Sequence, residues 1–341
     1  MAQKKKKQHY VPQFYLNAWS IPGSHQTYVY DKETDSCRVN NITDVAMENG
    51  FYDVVPEDVI SKEVLDWFCE KGIPVKQGQS QGLEDGFAEV IEKEFSEILH
   101  TIIQRAHEAT PWHIKNCFFL SEEWKAELIG HLSLQFVRTK SMRKSFQEAS
   151  DCLNQALVDM GAPSSMVEES MVSEVEAKNM HVQTILDIDY LSMIAAAFSR
   201  LSWILGINRT AIKLYTSDNS IVTYAHINHP ILSMSGINSE GVEVLFPITP
   251  DIVLIMVDGS FHKDCVPYER RYLEITNEQT IERYNGTIAL QAERTVISAD
   301  GNYSLLQRMK AKQADVFKQP HMILRYGGKE YQPRNKQENE G

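Results

Sequence analysis

A chain of 341 residues with 43% hydrophobic and 23% charged side chains can build one large core or two ordinary ones, and its composition is far from the aliphatic-poor signature of disorder. Forty-six acidic against 34 basic side chains leave a formal net charge of -12, which excludes general affinity for a phosphate backbone and confines any nucleic-acid contact to a local patch. The five cysteines, Cys37, Cys69, Cys117, Cys152 and Cys265, are odd in number and scattered without a C-x-x-C pair, which argues against a disulfide framework or a structural zinc site and for a reducing, cytoplasmic setting.

Four consecutive lysines, Lys4, Lys5, Lys6 and Lys7, stand directly before the aromatic segment QHYVPQFYLNAW. Pro12, Gln13 and Asn17 interrupt the apolar residues there, so no signal-peptide core is expected. The lysines read as a solvated tail, with contact to a nucleic-acid strand as the functional alternative. Residues 26–55 alternate apolar and polar side chains around the turn-forming Asp31 to Asp35, which predicts a hairpin. A short helix is expected over 61–71, followed by a loop rich in Gly and Pro over 72–82.

From Leu83 the apolar residues Leu83, Phe87, Val90, Ile91, Phe95, Ile98 and Ile102 recur every three or four positions, which predicts a helix. A second helix starts at the cap Ser121 and is expected to run to about residue 149. A third helical region spans 166–205 and should bend near Asn179 or at residues 187–189. Its most apolar part, 193–205, falls short of the roughly 20 residues that a bilayer span requires and is read as a buried core helix. No membrane partner follows.

After Gly206, the segments TAIKLYTSDNSIVTY, VEVLF and DIVLIMVDG are rich in Val, Ile and Tyr and predict strands. Pro247 and Pro250 disfavour a regular central strand between them. A last helix fits 277–298, with Ile281, Tyr284, Ile288, Ala292 and Thr295 on one side. The fold class is therefore α+β: a small N-terminal β-hairpin segment (1–60), a helical middle (61–206) and a mixed β/α C-terminal part (207–330), packed as one unit, with a flexible tail at 331–341.

Four polar constellations invite a chemical reading. His9 and Gln13 sit against an aromatic wall, where His9 could serve as an acid or base or as a satisfied structural residue. His131, Gln135 and Arg138 share a helical face; Arg138 suits bidentate binding of phosphate or carboxylate, or an ion pair with a Glu from another helix. Ser217, Asp218 and Asn219 form a turn at a strand end, suited to orienting a histidine, holding a metal or binding a substrate hydroxyl, or to being an ordinary Asx turn. His226 and His229 have H-x-x-H spacing, but Pro230 suggests a loop and no cysteine accompanies them, so metal binding is disfavoured.

Taken in order, QHYVPQFYL, YVYDKETD, Phe51-Tyr52, QFVRT, LYTSDN, FPITP and AERTVIS resemble domain-of-unknown-function family 4238, a bacterial family, over nearly the whole chain from His9 to about Ser298. The resemblance implies a cytoplasmic bacterial protein with His9, Gln135, Arg138, Ser217, Asp218 and Asn219 as matched positions, and it implies no activity. One departure is that Ser220 follows Asn219 where the family pattern continues with proline, which implies a looser turn.

Two functions follow from these residues. The first is a hydrolase acting on a phosphodiester or nucleotide, a nuclease-like effector in bacterial conflict or defence. In it His9 is the acid or base, Arg138 the phosphate anchor and Asp218 an orienting or metal-binding carboxylate, while Gln13, His131, Gln135, Ser217 and Asn219 bind substrate. A divalent metal is compatible with it and none is specified. The second is a non-catalytic protein that binds a ligand or protein partner through the same polar groups.

Overall fold

The computed structural model describes residues 7–53, 91–229, 233–318 and 322–333. The expected helix at 61–71, the loop at 72–82, Leu83, Phe87 and Val90, Lys4 to Lys6, Pro230 and residues 334–341 of the tail lie outside the described residues.

The fold is α+β. Strand β1 (Lys7–His9) pairs antiparallel with a short strand Met47–Asn49, and the predicted hairpin forms from β2 (Gln26–Asp31) and β3 (Ser36–Asn41). Its turn is closed by the Asp31 carboxylate, which accepts from the Glu33 and Thr34 amides, while Asp35 takes the left-handed conformation that turn residues of this type tolerate. Two further strands complete this sheet in the order β3, β2, Thr295–Ser298, Thr216–Ser217, all antiparallel.

A five-stranded sheet forms the centre. It is built from Ser202–Asn208, Val222–Ala225, Val242–Thr249, Ile252–Val257 and Arg271–Ile275, ordered so that the first, third and fourth of these lie inside. Val242–Thr249 and Ile252–Val257 are buried along their whole length, as strands covered on both faces must be. Alternate side chains divide accordingly. Val244, Phe246, Ile248, Leu254 and Met256 enter a core with the helical middle and the N-terminal aromatics, while Leu245, Val253, Ile255 and Val257 pack with Ile281, Tyr284 and Ile288 of the late helix. Gly206 is required by this second core: a Cβ there would lie 2.8 Å from Ile275 Cδ1 and 2.9 Å from Val253 Cγ1.

Pro247 does sit inside a strand. Pairing with Val222–Ala225 ends at Leu245, so no neighbour asks for its missing amide, and a β-bulge falls between Pro247 and Thr249.

The helical middle is more divided than the sequence periodicity suggests. The helix expected over 121–149 is two, Glu122–Val137 and Lys140–Asp159, because Thr139 leaves the helical conformation and its hydroxyl caps the Met142 amide. The region 166–205 holds Ser164–Glu169, Glu174–Leu186 and Ile188–Arg200. Asp187 makes the expected bend by ending one helix and capping the next, and Asn179 makes none. The apolar run 193–205 is half helix and half central strand, because Leu201 is already extended.

Two corrections concern the C-terminal part. The segment 211–225 forms two short strands in different sheets, with the Ser217 to Ile221 turn carrying the chain from one to the other. The helix expected over 277–298 stops at Gln291, and Thr295–Ser298 pairs with β2, so Thr295 belongs to a strand.

Candidate functional site

Strand β1 is gripped by side chains that bond its backbone. The amide of Gln135 donates to the Tyr10 carbonyl at 3.1 Å, and Arg138 donates to the His9 carbonyl at 2.9 Å and to the Tyr52 hydroxyl at 3.2 Å. Tyr52 in turn donates to the same His9 carbonyl, and its amide donates to Gln8 Oε1. Arg138 also pairs with Glu92 at 3.0 Å. Its guanidinium therefore meets a Glu from another helix, the structural alternative raised by the sequence, while it braces the HY segment.

The ring of His9 is 6% exposed and has partners on both nitrogens, Gln13 Nε2 at 3.2 Å from Nδ1 and the Thr43 carbonyl at 3.2 Å from Nε2. Pro12 turns the chain into the short helix Gln13–Leu16, which brings Gln13 back onto His9. This geometry fits the neutral tautomer with Nε2 protonated, and burial lowers the pKa of His9 below its ordinary value. His131 stacks on Phe95 with centroids 5.2 Å apart and is likewise lowered by burial. The Gln135 oxygen is buried without a partner.

Asp218 is engaged elsewhere. Its carboxylate accepts from the backbone amides of Glu293, Arg294 and Thr295 at 2.8 to 2.9 Å and so fixes the start of the strand Thr295–Ser298. Burial raises its pKa against the pull of these amides. The Ser217 hydroxyl donates to the Asn219 carbonyl and accepts from its amide, and the Asn219 side chain donates to the Gln291 carbonyl. The turn is thus pinned on both sides. The Ser220 hydroxyl itself is buried without a partner.

His9 and Arg138 therefore meet through the His9 backbone, and Asp218 is joined to the strand after the late helix. What lies between the two is Tyr10. Its ring packs 4.9 Å from Phe51, it is 6% exposed, and no described residue hydrogen-bonds its hydroxyl. Burial and the neighbouring carboxylates of Asp218, Glu48 and Glu293 raise its pKa well above the phenol value.

Around Tyr10 the structure gathers charged groups that the sequence did not single out. Lys144 pairs with Glu293 at 3.1 Å and reaches Glu148 at 3.7 Å. Arg143 lies over the Phe51 ring at 3.6 Å and donates to Glu48 at 3.3 Å and to the Phe51 carbonyl at 2.6 Å, while its Nε is buried without a partner. Behind it, His181 donates to the Val137 carbonyl at 2.9 Å and is lowered to about 3 by burial and then by the Arg143 charge. Lys32, from the hairpin turn, donates to the Leu290 and Ala292 carbonyls, and burial lowers it to about 8 against the attraction of Asp218 and Glu293.

The cluster runs from solvent to the interior: the Lys144 and Glu48 side chains are 43% and 39% exposed, whereas Asp218 is 1% exposed. One signal for it was available. Lys140, Arg143 and Lys144 occupy the first turns of a helix, where the dipole disfavours cations, but this becomes visible only once Thr139 is recognised as a cap. Of the remaining candidates, Lys7 pairs with Asp44, and His226 lies 2.7 Å from Glu243. Among the described residues no group of three or more His, Cys, Asp or Glu side chains is arranged to hold a metal ion, and no helix is long and apolar enough to cross a membrane.

In comparison with known proteins, residues 7–302 fit the family described as "Protein of unknown function (DUF4238)". No curated protein matches the chain, and no solved structure does.

Proposed function

Since the chain belongs to the DUF4238 family, whose description names no activity, we propose from the geometry that it binds an acceptor-rich, anion-bearing ligand of nucleotide type at the Tyr10, Arg143 and Lys144 cluster. The observation that carries this reading is the distribution of unused donors. His9, Arg138 and Asp218 are engaged with backbone and side-chain partners, whereas among the described residues the Tyr10 hydroxyl and Arg143 Nε have none. Donors held in place without acceptors suit a ligand that supplies them.

A second reading, hydrolysis of a phosphodiester or nucleotide, is favoured by Lys32. An amine lowered to about 8 beside two carboxylates can exchange a proton near neutrality, with Arg143 and Lys144 holding phosphoryl oxygens. Among the described residues Cys37, Cys117, Cys152 and Cys265 are free, which supports a reducing, cytoplasmic setting for either reading. The charge of -12 supports a small nucleotide over a long nucleic acid.

The test is thermal stabilisation by nucleoside mono- and diphosphates, followed by chromatography of the mixture for product. Stabilisation that Tyr10→Phe and Arg143→Gln each abolish, without product, supports the binding reading. Product formation that Lys32→Met abolishes moves the conclusion to the hydrolase. Equal stabilisation of wild type and both binding variants refutes the site.

A further inference from the structure

At the far end of the central sheet lies a second polar cluster. Label the strands Val222–Ala225 and Val242–Thr249 βA and βB. They form a hairpin whose last paired residues are Ala225 and Val242, and His226 follows at once. Its Nε2 lies 2.7 Å from Glu243 of βB, and Glu243 also receives both ends of the Arg283 guanidinium at 2.7 and 3.2 Å. The ring of His262, from the segment after Ile252–Val257, stands edge-on to His226 with centroids 4.5 Å apart, and its Nε2 is buried without a partner.

We propose that His226, Glu243 and His262 form a proton-operated clasp that fastens the end of the βA–βB hairpin to the segment after Ile252–Val257 and releases it when His262 takes up a proton. While His262 is neutral, the single carboxylate of Glu243 serves Arg283 and His226. Protonated His262 brings a further positive charge to a carboxylate already shared by Arg283 and His226, and puts an N–H on a buried nitrogen that has no hydrogen-bond partner among the described residues.

The other groups facing the pair offset that charge only in part: Glu243, the Gly241 carbonyl and Asp258 favour the proton on His262, while burial and then His226 oppose it and prevail. Asp258 already accepts from the Gly241 amide and from the amide and hydroxyl of Ser260, and it faces Arg200. The Tyr284 hydroxyl and the Cys265 thiol face Glu243, and the rings of Tyr224 and Phe261 flank the histidines without charge. The Gly241 carbonyl, which also faces His262, accepts the His226 amide in a long bond of 3.3 Å. Relief therefore comes from parting the two rings, opposed by that bond together with the Gly241 amide's bond to Asp258 and the Asp258 amide's bond to the Val242 carbonyl.

Burial and then the His226 charge lower the pKa of His262. A base lowered on folding contributes stability that is present above its unfolded value of 6.5 and is lost as pH falls through that value toward the folded one. The clasp is therefore closed at neutral pH and opens in mild acid.

Amide hydrogen exchange at about pH 7.5 and about pH 5.5, corrected for intrinsic rates, tests this. Protection of the His226 and Gly241 amides should fall about tenfold at the lower pH, while the strand Ile252–Val257 keeps its protection. His262→Phe, which fills the site without a titrating nitrogen, should hold the protection constant. Unchanged protection in the wild type overturns the clasp, and so does a loss that persists in His262→Phe. If His262→Phe does not fold, His262→Gln serves, together with a proton NMR titration of the wild-type ring. A ring that titrates while the His226 amide keeps its protection also overturns it.

Discussion

Replacing Arg138 with Leu tests whether this residue is a brace for the HY segment. The partners of the wild-type guanidinium include the Glu92 carboxylate, the His9 carbonyl and the Tyr52 hydroxyl. Removing one member of a buried ion pair costs about 3 to 5 kcal/mol. Two features of the site move the expectation to the low end. The Glu92 side chain is 19% exposed and can gain water when its partner goes, and the His9 carbonyl keeps the Tyr52 hydroxyl as a donor. A loss of about 3 kcal/mol follows, which lowers the urea midpoint by about 1 M if the slope is about 3 kcal/mol/M. Arg138→Lys keeps the charge but not the fork, and should recover about a third of the loss. A cycle with Glu92→Gln separates the ion pair from the backbone contacts. An Arg138→Leu protein with wild-type urea midpoint and no nucleotide response would refute the reasoning, since it would place Arg138 in binding and not in the scaffold.

Other outcomes follow from single groups. Lys32 is lowered from 10.5 to about 8, so as pH falls from about 10.5 to about 8 the unfolded chain takes up a proton before the folded one does. The stability carried by the neutral amine is full above that window and lost within it. Lys32→Met should flatten urea midpoints across this range, and acylation of Lys32 followed by mass spectrometry should show a midpoint near 8. Ser220→Ala removes a buried hydroxyl without a partner and should raise stability by about 1 kcal/mol in the same denaturation assay. Asp218→Asn sets an amide donor against at least one of the Glu293, Arg294 and Thr295 amides. It should cost about 2 to 3 kcal/mol, with exchange protection lost first along Thr295–Ser298.

Class, hairpin and the order of elements were legible in the sequence because they rest on periodicity and turn chemistry. The alternation about Asp31 to Asp35 names a hairpin, and the Val and Ile runs after Gly206 name strands. Boundaries were less legible where a short polar residue could continue a helix or restart one. Thr139 breaks a run that its neighbours would otherwise extend, and Asp187 does the same. The end of the late helix was hidden for a different reason. Ala292 and Thr295 fit the helical stripe of Ile281 and Ile288, but the three amides that follow Ala292 are drawn to Asp218, and the chain is extended before Thr295.

The candidate site was legible only through its frame. Gln135, Arg138 and Asp218 attract attention because they are polar in apolar surroundings, yet each bonds main-chain groups: the Tyr10 carbonyl, the His9 carbonyl, and three amides beyond the late helix. Nothing in a side chain's identity tells whether its partner will be a ligand or a peptide group 129 positions away. The motifs QHYVPQFYL and QFVRT are thus joined to each other through Gln135 and Arg138, and LYTSDN to AERTVIS through Asp218. On the binding reading proposed above, the ligand meets the Tyr10 phenol, whose hydroxyl has no partner among the described residues and lies in the field of Asp218, Glu48 and Glu293. It follows that variants of the frame should lower stability first and binding in proportion, whereas Tyr10→Phe should remove binding and leave the urea midpoint within about 0.5 kcal/mol of wild type.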